Sequence, residues 1–135
     1  MAELATRYGD SGLRIVAFPS GQFGNQELGT NAEIKSFVSD VLRKNQYSWN
    51  QDGELNSTFL LMGKTNVNGA ASHPVFRYMK SLPGASADIT WNFGTYWLFS
   101  SSGALVKRSD DVSPLQLEVQ IGSLLRNKGR HGEMR

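Results

Sequence analysis

The sequence contains no cysteine. That absence excludes a disulfide, a thiolate nucleophile and a Cys-ligated zinc site. Histidine is scarce as well: His73 and His131 are far apart and share no ligand spacing, so no metal site is expected. There is no G-x-S-x-G elbow, and His73 precedes Pro74 at what reads as a helix start, which argues against a Ser/His/Asp triad. Long apolar runs are missing too. Ile15-Val16-Ala17-Phe18, Phe59-Leu60-Leu61-Met62 and Tyr96-Trp97-Leu98-Phe99 are all far shorter than the roughly 18 residues of a spanning helix. No stable membrane insertion is expected. Met1 is not followed by a signal or transit peptide pattern, so a cytoplasmic location is the expectation if Met1 is the true start.

What is present fits one packed domain: 135 residues, of which 39% are hydrophobic. The basic excess sits at one end. Arg126, Lys128, Arg130 and Arg135 face a single acid, Glu133, in the last ten residues, and the rest holds 10 basic and 11 acidic residues. A nucleic-acid binder carries a basic stripe on its folded face; a charged terminus reads as a solvated tail. The expected organisation is therefore a domain over 1–125 and a basic flexible tail over 126–135, with no nucleic-acid partner.

The periodicity alternates helix and strand. Ala2 to Tyr8 reads as a helix, with Leu4 and Tyr8 on one face, ended by Gly9-Asp10-Ser11-Gly12. Leu13 to Phe18 reads as a buried parallel strand closed by Pro19 and Gly21. Ser20 to Gly29 is loop. Thr30 or Asn31 can cap the next helix, whose apolar stripe is Ile34, Phe37, Val38, Val41 and Leu42. Asn45 to Ser57 reads as an exposed loop, Thr58 to Met62 as a strand, and Asn66-Val67-Asn68-Gly69 as a turn. Ser72 to Leu82 reads as a helix with Pro74 near its start. Tyr96–Phe99 and Ala104–Lys107 form a hairpin around Ser100–Gly103, and Ser113-Pro114 opens a last helix with Leu117, Ile121, Leu124 and Leu125 on one face.

Two segments carry more than pattern. Phe18-Pro19-Ser20-Gly21-Gln22-Phe23-Gly24-Asn25-Gln26-Glu27-Leu28-Gly29 resembles the signature loop of the glutathione peroxidases, F-P-x-N-Q-F-G-x-Q-E-P-G, and Trp91-Asn92-Phe93 resembles their second signature, W-N-F. Between them, Glu33-Ile34-Lys35 with Phe37, Asn66-Val67-Asn68-Gly69 and Ala71-Ser72-His73-Pro74 resemble the family's E-I-K-x-F, V-N-G and A-H-P landmarks in the same order. Gly21 and Leu28 depart from the family's Asn and Pro, and Asn45 to Asn56 resembles an insertion. The short connection from Leu82 to Trp91 resembles the monomeric, phospholipid-hydroperoxide type.

This resemblance implies an α/β, thioredoxin-like fold missing its N-terminal hairpin and its central nucleophile-bearing strand, which would lie between the Leu13–Phe18 and Tyr96–Phe99 strands. It implies a peroxidatic cysteine or selenocysteine, upstream of the signature loop, surrounded by a glutamine, a tryptophan and an asparagine. By motif match these are Gln22, Trp91 and Asn92. Amide and indole N–H groups stabilise an anionic nucleophile without competing as bases. Taken singly, Trp91 reads as a core aromatic, Gln22 as a solvated loop residue and Asn92 as a turn or cap; in family order they read as a site. Ser39 stands where thioredoxin-dependent members carry a resolving cysteine. The implied activity of the complete family member is hydroperoxide reduction in oxidative-stress defence. Its partners are a hydroperoxide and a thiol reductant, glutathione or thioredoxin-like, as co-substrate, with no bound cofactor. The cysteine-free chain is expected to be inactive alone, monomeric and marginally stable. A pseudoenzyme acting as a binding or regulatory module is the alternative, and a fragment complementing a partner's sheet edge a third.

Overall fold

A computed structural model describes residues 1–44 and 58–132, with side chains described through residue 127. The loop expected over Asn45–Ser57 lies outside the described residues. In chain order the elements are α1 (Ala2–Tyr8), β1 (Ile15–Ala17), α2 (Asn31–Lys44), β2 (Phe59–Leu61), α3 (Pro74–Ser81), β3 (Thr95–Phe99), β4 (Leu105–Asp110), a 3-10 turn (Pro114–Leu117) and α4 (Glu118–Gly132). This is the α/β alternation expected from the periodicity. Helix α4 continues past Arg126, where the sequence reading begins a flexible tail, to Gly132.

Local chemistry accounts for the helix starts. Thr30 and Glu33 form a reciprocal cap at α2: the Glu33 N–H donates to Thr30 Oγ1 at 3.2 Å, and the Thr30 N–H donates to Glu33 Oε2 at 2.8 Å. Asn31 is freed for another task, its Oδ1 accepting from the Lys64 N–H at 2.8 Å. His73 caps α3 by accepting the Val75 N–H on Nδ1 at 3.2 Å, ahead of Pro74 at the first helical position. Ser113 and Gln116 make a capping box ahead of α4.

The strands form two separate sheets. β1 and β2 pair in parallel, with Ile15, Val16 and Ala17 opposite Phe59, Leu60 and Leu61. β3 and β4 pair antiparallel from Thr95 opposite Asp110 to Leu98 opposite Lys107, with an irregularity that sets Phe99 opposite Leu105. β1 and β3 are not paired to each other. Both sheets nevertheless share two apolar clusters. Leu4, Leu117 and Ile121 receive Ile15 of β1 and Tyr96 and Leu98 of β3 on one side. Val67, Phe76, Met79 and Ile89 receive Phe18, Trp97 and Phe99 on the other. Edge-on aromatic contacts tie the second cluster together, Phe18 to Phe76 at 5.1 Å and Phe76 to Trp97 at 5.8 Å.

Among the described residues each sheet has two strands, so β1 and β3 each pair on one edge only. In β1 the ladder to β2 runs through Ile15, whose N–H donates to Thr58 O, and Ala17, whose carbonyl accepts from Met62 N–H. The peptide groups of Val16 therefore point away from β2. In β3 the Asp111 N–H donates to Gly94 O, which with the register makes Tyr96 the next bonded residue and turns the peptide groups of Thr95 and Trp97 away from β4.

Two expectations about burial need correction. The strand expected over Leu13–Phe18 to be buried is three residues long and half-buried, with Val16 at 47% exposure. A strand is covered only by what packs on its faces, and Val16 and its register partner Leu60 project together to a face that leaves both nearly half exposed. Of the apolar stripe of α2 only Ile34 is fully buried, Val38 and Leu42 are half-buried, and Phe37, at 60% exposure, and Val41 are exposed.

Candidate functional site

Gln22 lies in the loop after β1, and its carboxamide is fixed by three hydrogen bonds to one turn. Oε1 accepts from the N–H groups of Val67 (2.7 Å) and Asn68 (2.9 Å), and Nε2 donates to the Asn68 carbonyl at 3.1 Å. One of the two Nε2 protons is used in that bond. The turn itself is possible because Gly69 takes φ +80°, a conformation that costs glycine little. Gln22 is exposed, so this amide is preorganised at the surface.

Trp91 and Asn92 form the turn that enters β3. The Trp91 ring lies over Gly94: a Cβ on that glycine would sit 2.8 Å from Trp91 Cδ1 and 3.0 Å from Nε1. The ring is 50% exposed and meets Phe93, itself 72% exposed, edge-on at 5.7 Å. Asn92 is half-buried. Ser39 is half-buried within α2, where its hydroxyl donates to the Lys35 carbonyl at 2.8 Å.

The segment before Trp91 is held from two directions. Asn68 bonds Ile89 twice, Nδ2 donating to the Ile89 carbonyl at 2.7 Å and Oδ1 accepting the Ile89 N–H at 3.0 Å. Lys80 Nζ donates to Asn68 Oδ1 and to Asp88 Oδ1, each at 2.6 Å. From β4, the Arg108 guanidinium donates to the carbonyls of Ala85 (2.7 Å), Ala87 (2.5 Å) and Asp88 (3.3 Å), pairs with Asp110 at 3.0 Å, and lies 5.0 Å from the Trp97 ring centre. Burial pushes the Asp110 carboxyl upward, but hydrogen bonds from Arg108 and Thr95 and the Arg108 charge outweigh it, leaving its pKa below the ordinary value.

Gln22 and Trp91 are thus brought into one framework through Asn68 and Ile89 rather than through contact with each other. Sequence reasoning assigned no role to Asn68, Gly94 or Arg108. A signal existed for the first two: Asn68 stands inside the N-V-N-G landmark, and Gly94 directly follows W-N-F. Arg108 carries no motif. Among the described residues no cluster of three or more His, Asp or Glu is placed to hold a metal ion, and no helix is long and apolar enough to cross a membrane.

Comparison with known proteins shows the family of the chain. The family described as glutathione peroxidase matches residues 1–80. The chain is 38% identical over 127 residues to "Glutathione peroxidase 1, mitochondrial" of Chlamydomonas reinhardtii, a match covering 94% of this chain and 58% of that protein. It is 38% identical over 126 residues to the "Phospholipid hydroperoxide glutathione peroxidase" of Bos taurus, covering 90% and 56%. Among solved structures, that of T. cruzi GPX1 superposes with a TM-score of 0.56 at 26% identity, covering 92% of this chain and 67% of the other. The chain belongs to the glutathione peroxidase family and has the family's thioredoxin-like α/β fold. It spans little more than half the length of the first two relatives.

Proposed function

We propose that this chain carries the donor side of a hydroperoxide-reducing site, with Gln22, Trp91 and Asn92 arranged around a peroxidatic thiol or selenol that the chain itself does not contain. The observation that supports this most is the Gln22 carboxamide. Three backbone hydrogen bonds fix it and leave a second Nε2 proton to donate. A donor fixed in advance stabilises a developing anion without a reorganisation cost at the moment of reaction. A thiolate attacking a peroxide O–O bond is such an anion, and neutral amide and indole donors lower its pKa without acting as bases.

In the complete site the thiol or selenol takes one peroxide oxygen to become a sulfenic or selenenic acid while the hydroperoxide leaves as an alcohol; two reductant thiols then restore it, leaving joined as a disulfide with release of water. Ser39 cannot form a disulfide, so this position supplies no resolving thiol, and the reductant is glutathione or a thioredoxin-like protein. No bound cofactor is needed, and the protein works as a monomer. The exposed Trp91–Phe93 pair favours a second reading, a pseudoenzyme that binds or regulates through this surface.

The test is hydroperoxide reduction with glutathione, by the chain alone and mixed with an extended cysteine-bearing peptide. The expected result is no turnover by the chain alone and, with the peptide, turnover that falls at least tenfold (about 1.4 kcal/mol) in Gln22→Ala and Trp91→Phe. Activity of the mixture no greater than that of the peptide would favour the binding module. Turnover by the cysteine-free chain alone would overturn the proposal.

A further inference from the structure

Gln22 and Trp91 lie on different loops, and the hydrogen bonds name the residue between them. We infer that Asn68 is a positioning residue that couples the Gln22 loop to the Trp91 segment.

The argument is one of bonding capacity. An asparagine joins two partners when its backbone serves one and its side chain the other. Asn68 does this. Its backbone N–H and C=O both bond the Gln22 carboxamide, at 2.9 and 3.1 Å. Its own carboxamide bonds both backbone groups of Ile89, at 3.0 and 2.7 Å. Each junction is a two-point contact, which fixes orientation as well as distance.

The ends of this relay are anchored. Val67, whose N–H is the third partner of Gln22, and Ile89 are both buried in the cluster with Phe76 and Met79. Lys80 Nζ, bridging Asn68 Oδ1 and Asp88, holds the Asn68 side chain in the orientation that presents Nδ2 to the Ile89 carbonyl. Trp91 follows Ile89 by two residues. A displacement of the Gln22 amide therefore reaches Trp91 through Asn68. The coupling stands on this geometry alone; its consequence for peroxide chemistry rests on the function proposed above.

The test reads Trp91 directly. The chain labelled with 5-fluorotryptophan gives a fluorine resonance for Trp91, assigned by its loss in Trp91→Phe. Gln22→Ala is expected to move that resonance, and the same substitution in an Asn68→Ala background is expected to leave it in place. Asn68→Asp provides a second background, since it keeps the acceptor for Ile89 N–H and Lys80 while a carboxylate oxygen replaces the donor to the Ile89 carbonyl; the shift caused by Gln22→Ala there is expected to be intermediate. Equal shifts in all backgrounds, or no shift in the unsubstituted background, would overturn the inference. Should Asn68→Ala fail to fold, Asn68→Asp against the unsubstituted background decides alone: a shift undiminished by Asp refutes the coupling. The readout needs no turnover, so an inactive mixture in the peptide experiment leaves it intact.

Discussion

Replacing Arg108 is the sharpest test of how the Trp91 segment is held. Its side chain is 5% exposed, and its guanidinium takes the carbonyls of Ala85, Ala87 and Asp88 while lying over Trp97. Ala85 is fully buried, so Arg108→Ala leaves its carbonyl without this donor, at about 1–3 kcal/mol. The carbonyls of Ala87 and Asp88 belong to exposed residues and recover water, so they add little. The desolvated contact with the Trp97 ring contributes up to about 2 kcal/mol. The pair with the partly exposed Asp110 adds about 0–1 kcal/mol. Together these give an expected loss for Arg108→Ala of about 1–6 kcal/mol, centred near 3, a large share of the roughly 5–15 kcal/mol that holds a domain together. Arg108→Lys keeps the charge, but a single ammonium cannot span three carbonyls and a carboxylate, so about half that loss is expected. Urea unfolding followed by far-ultraviolet circular dichroism measures both. A loss below about 1 kcal/mol for Arg108→Ala would refute the reasoning, as would equal losses in the two variants.

Two further predictions concern other contacts. Gly94→Ala puts a methyl group against Trp91 Cδ1 and 3.2 Å from Asp111 Oδ1, and because Trp91 is half exposed the ring is expected to swing outward. That should cost about 1–2 kcal/mol and move the Trp91 fluorine resonance; an unmoved resonance would show that the ring does not rest on Gly94. Glu118 accepts from Arg7 Nη1 at 2.7 Å and from the Tyr8 hydroxyl at 2.9 Å, and these bonds, the Arg7 one foremost, lower its pKa. A carboxylate depressed on folding stabilises above its unfolded pKa, and the contribution is lost as pH falls through the folded value. Glu118→Gln is therefore expected to be less stable at neutral pH, with the difference shrinking below the ordinary glutamate range of about 4.3. A difference that stays constant on acidification would refute this link between α1 and α4.

The parts of the fold legible in the sequence are those set by neighbours along the chain. Helix α1 runs over the residues its Leu4/Tyr8 spacing marks, and the Thr30–Glu33, His73–Pro74 and Ser113–Gln116 starts follow from capping chemistry. What stayed hidden depends on partners distant in sequence. Nothing in Leu13–Phe18 reveals that Val16 lacks full cover, and nothing in the α2 stripe reveals that Phe37 faces outward, because burial is a property of the facing element. The candidate site divides the same way. The motifs mark Gln22 and Trp91 as candidates and N-V-N-G as a landmark turn, but a spacing of 46 residues carries no sign that Asn68 supplies the backbone groups that bond Gln22.

The strand edges and the donor framework rest on different parts of the molecule, and this bears on what the chain can do. The peptide groups of Val16, Thr95 and Trp97, which turn away from β2 and β4 and have no strand partner among the described residues, belong to β1 and β3. Strand edges of this kind are templates for an added strand, and each group kept buried without a partner costs about 1–3 kcal/mol. The bonds that fix Gln22 and the Trp91 segment come instead from the turn at Val67–Asn68, from Lys80 of α3 and from Arg108 on the β4 side of its sheet. None of them is made by the peptide groups of those edges. Loosening of the edges therefore lowers global stability without first releasing Gln22. Arg108 serves both the Trp91 segment and the core around Trp97, whereas Asn68 serves the junction alone, so the Arg108 substitution should move the unfolding midpoint most and the Asn68 substitution the response of Trp91 to Gln22.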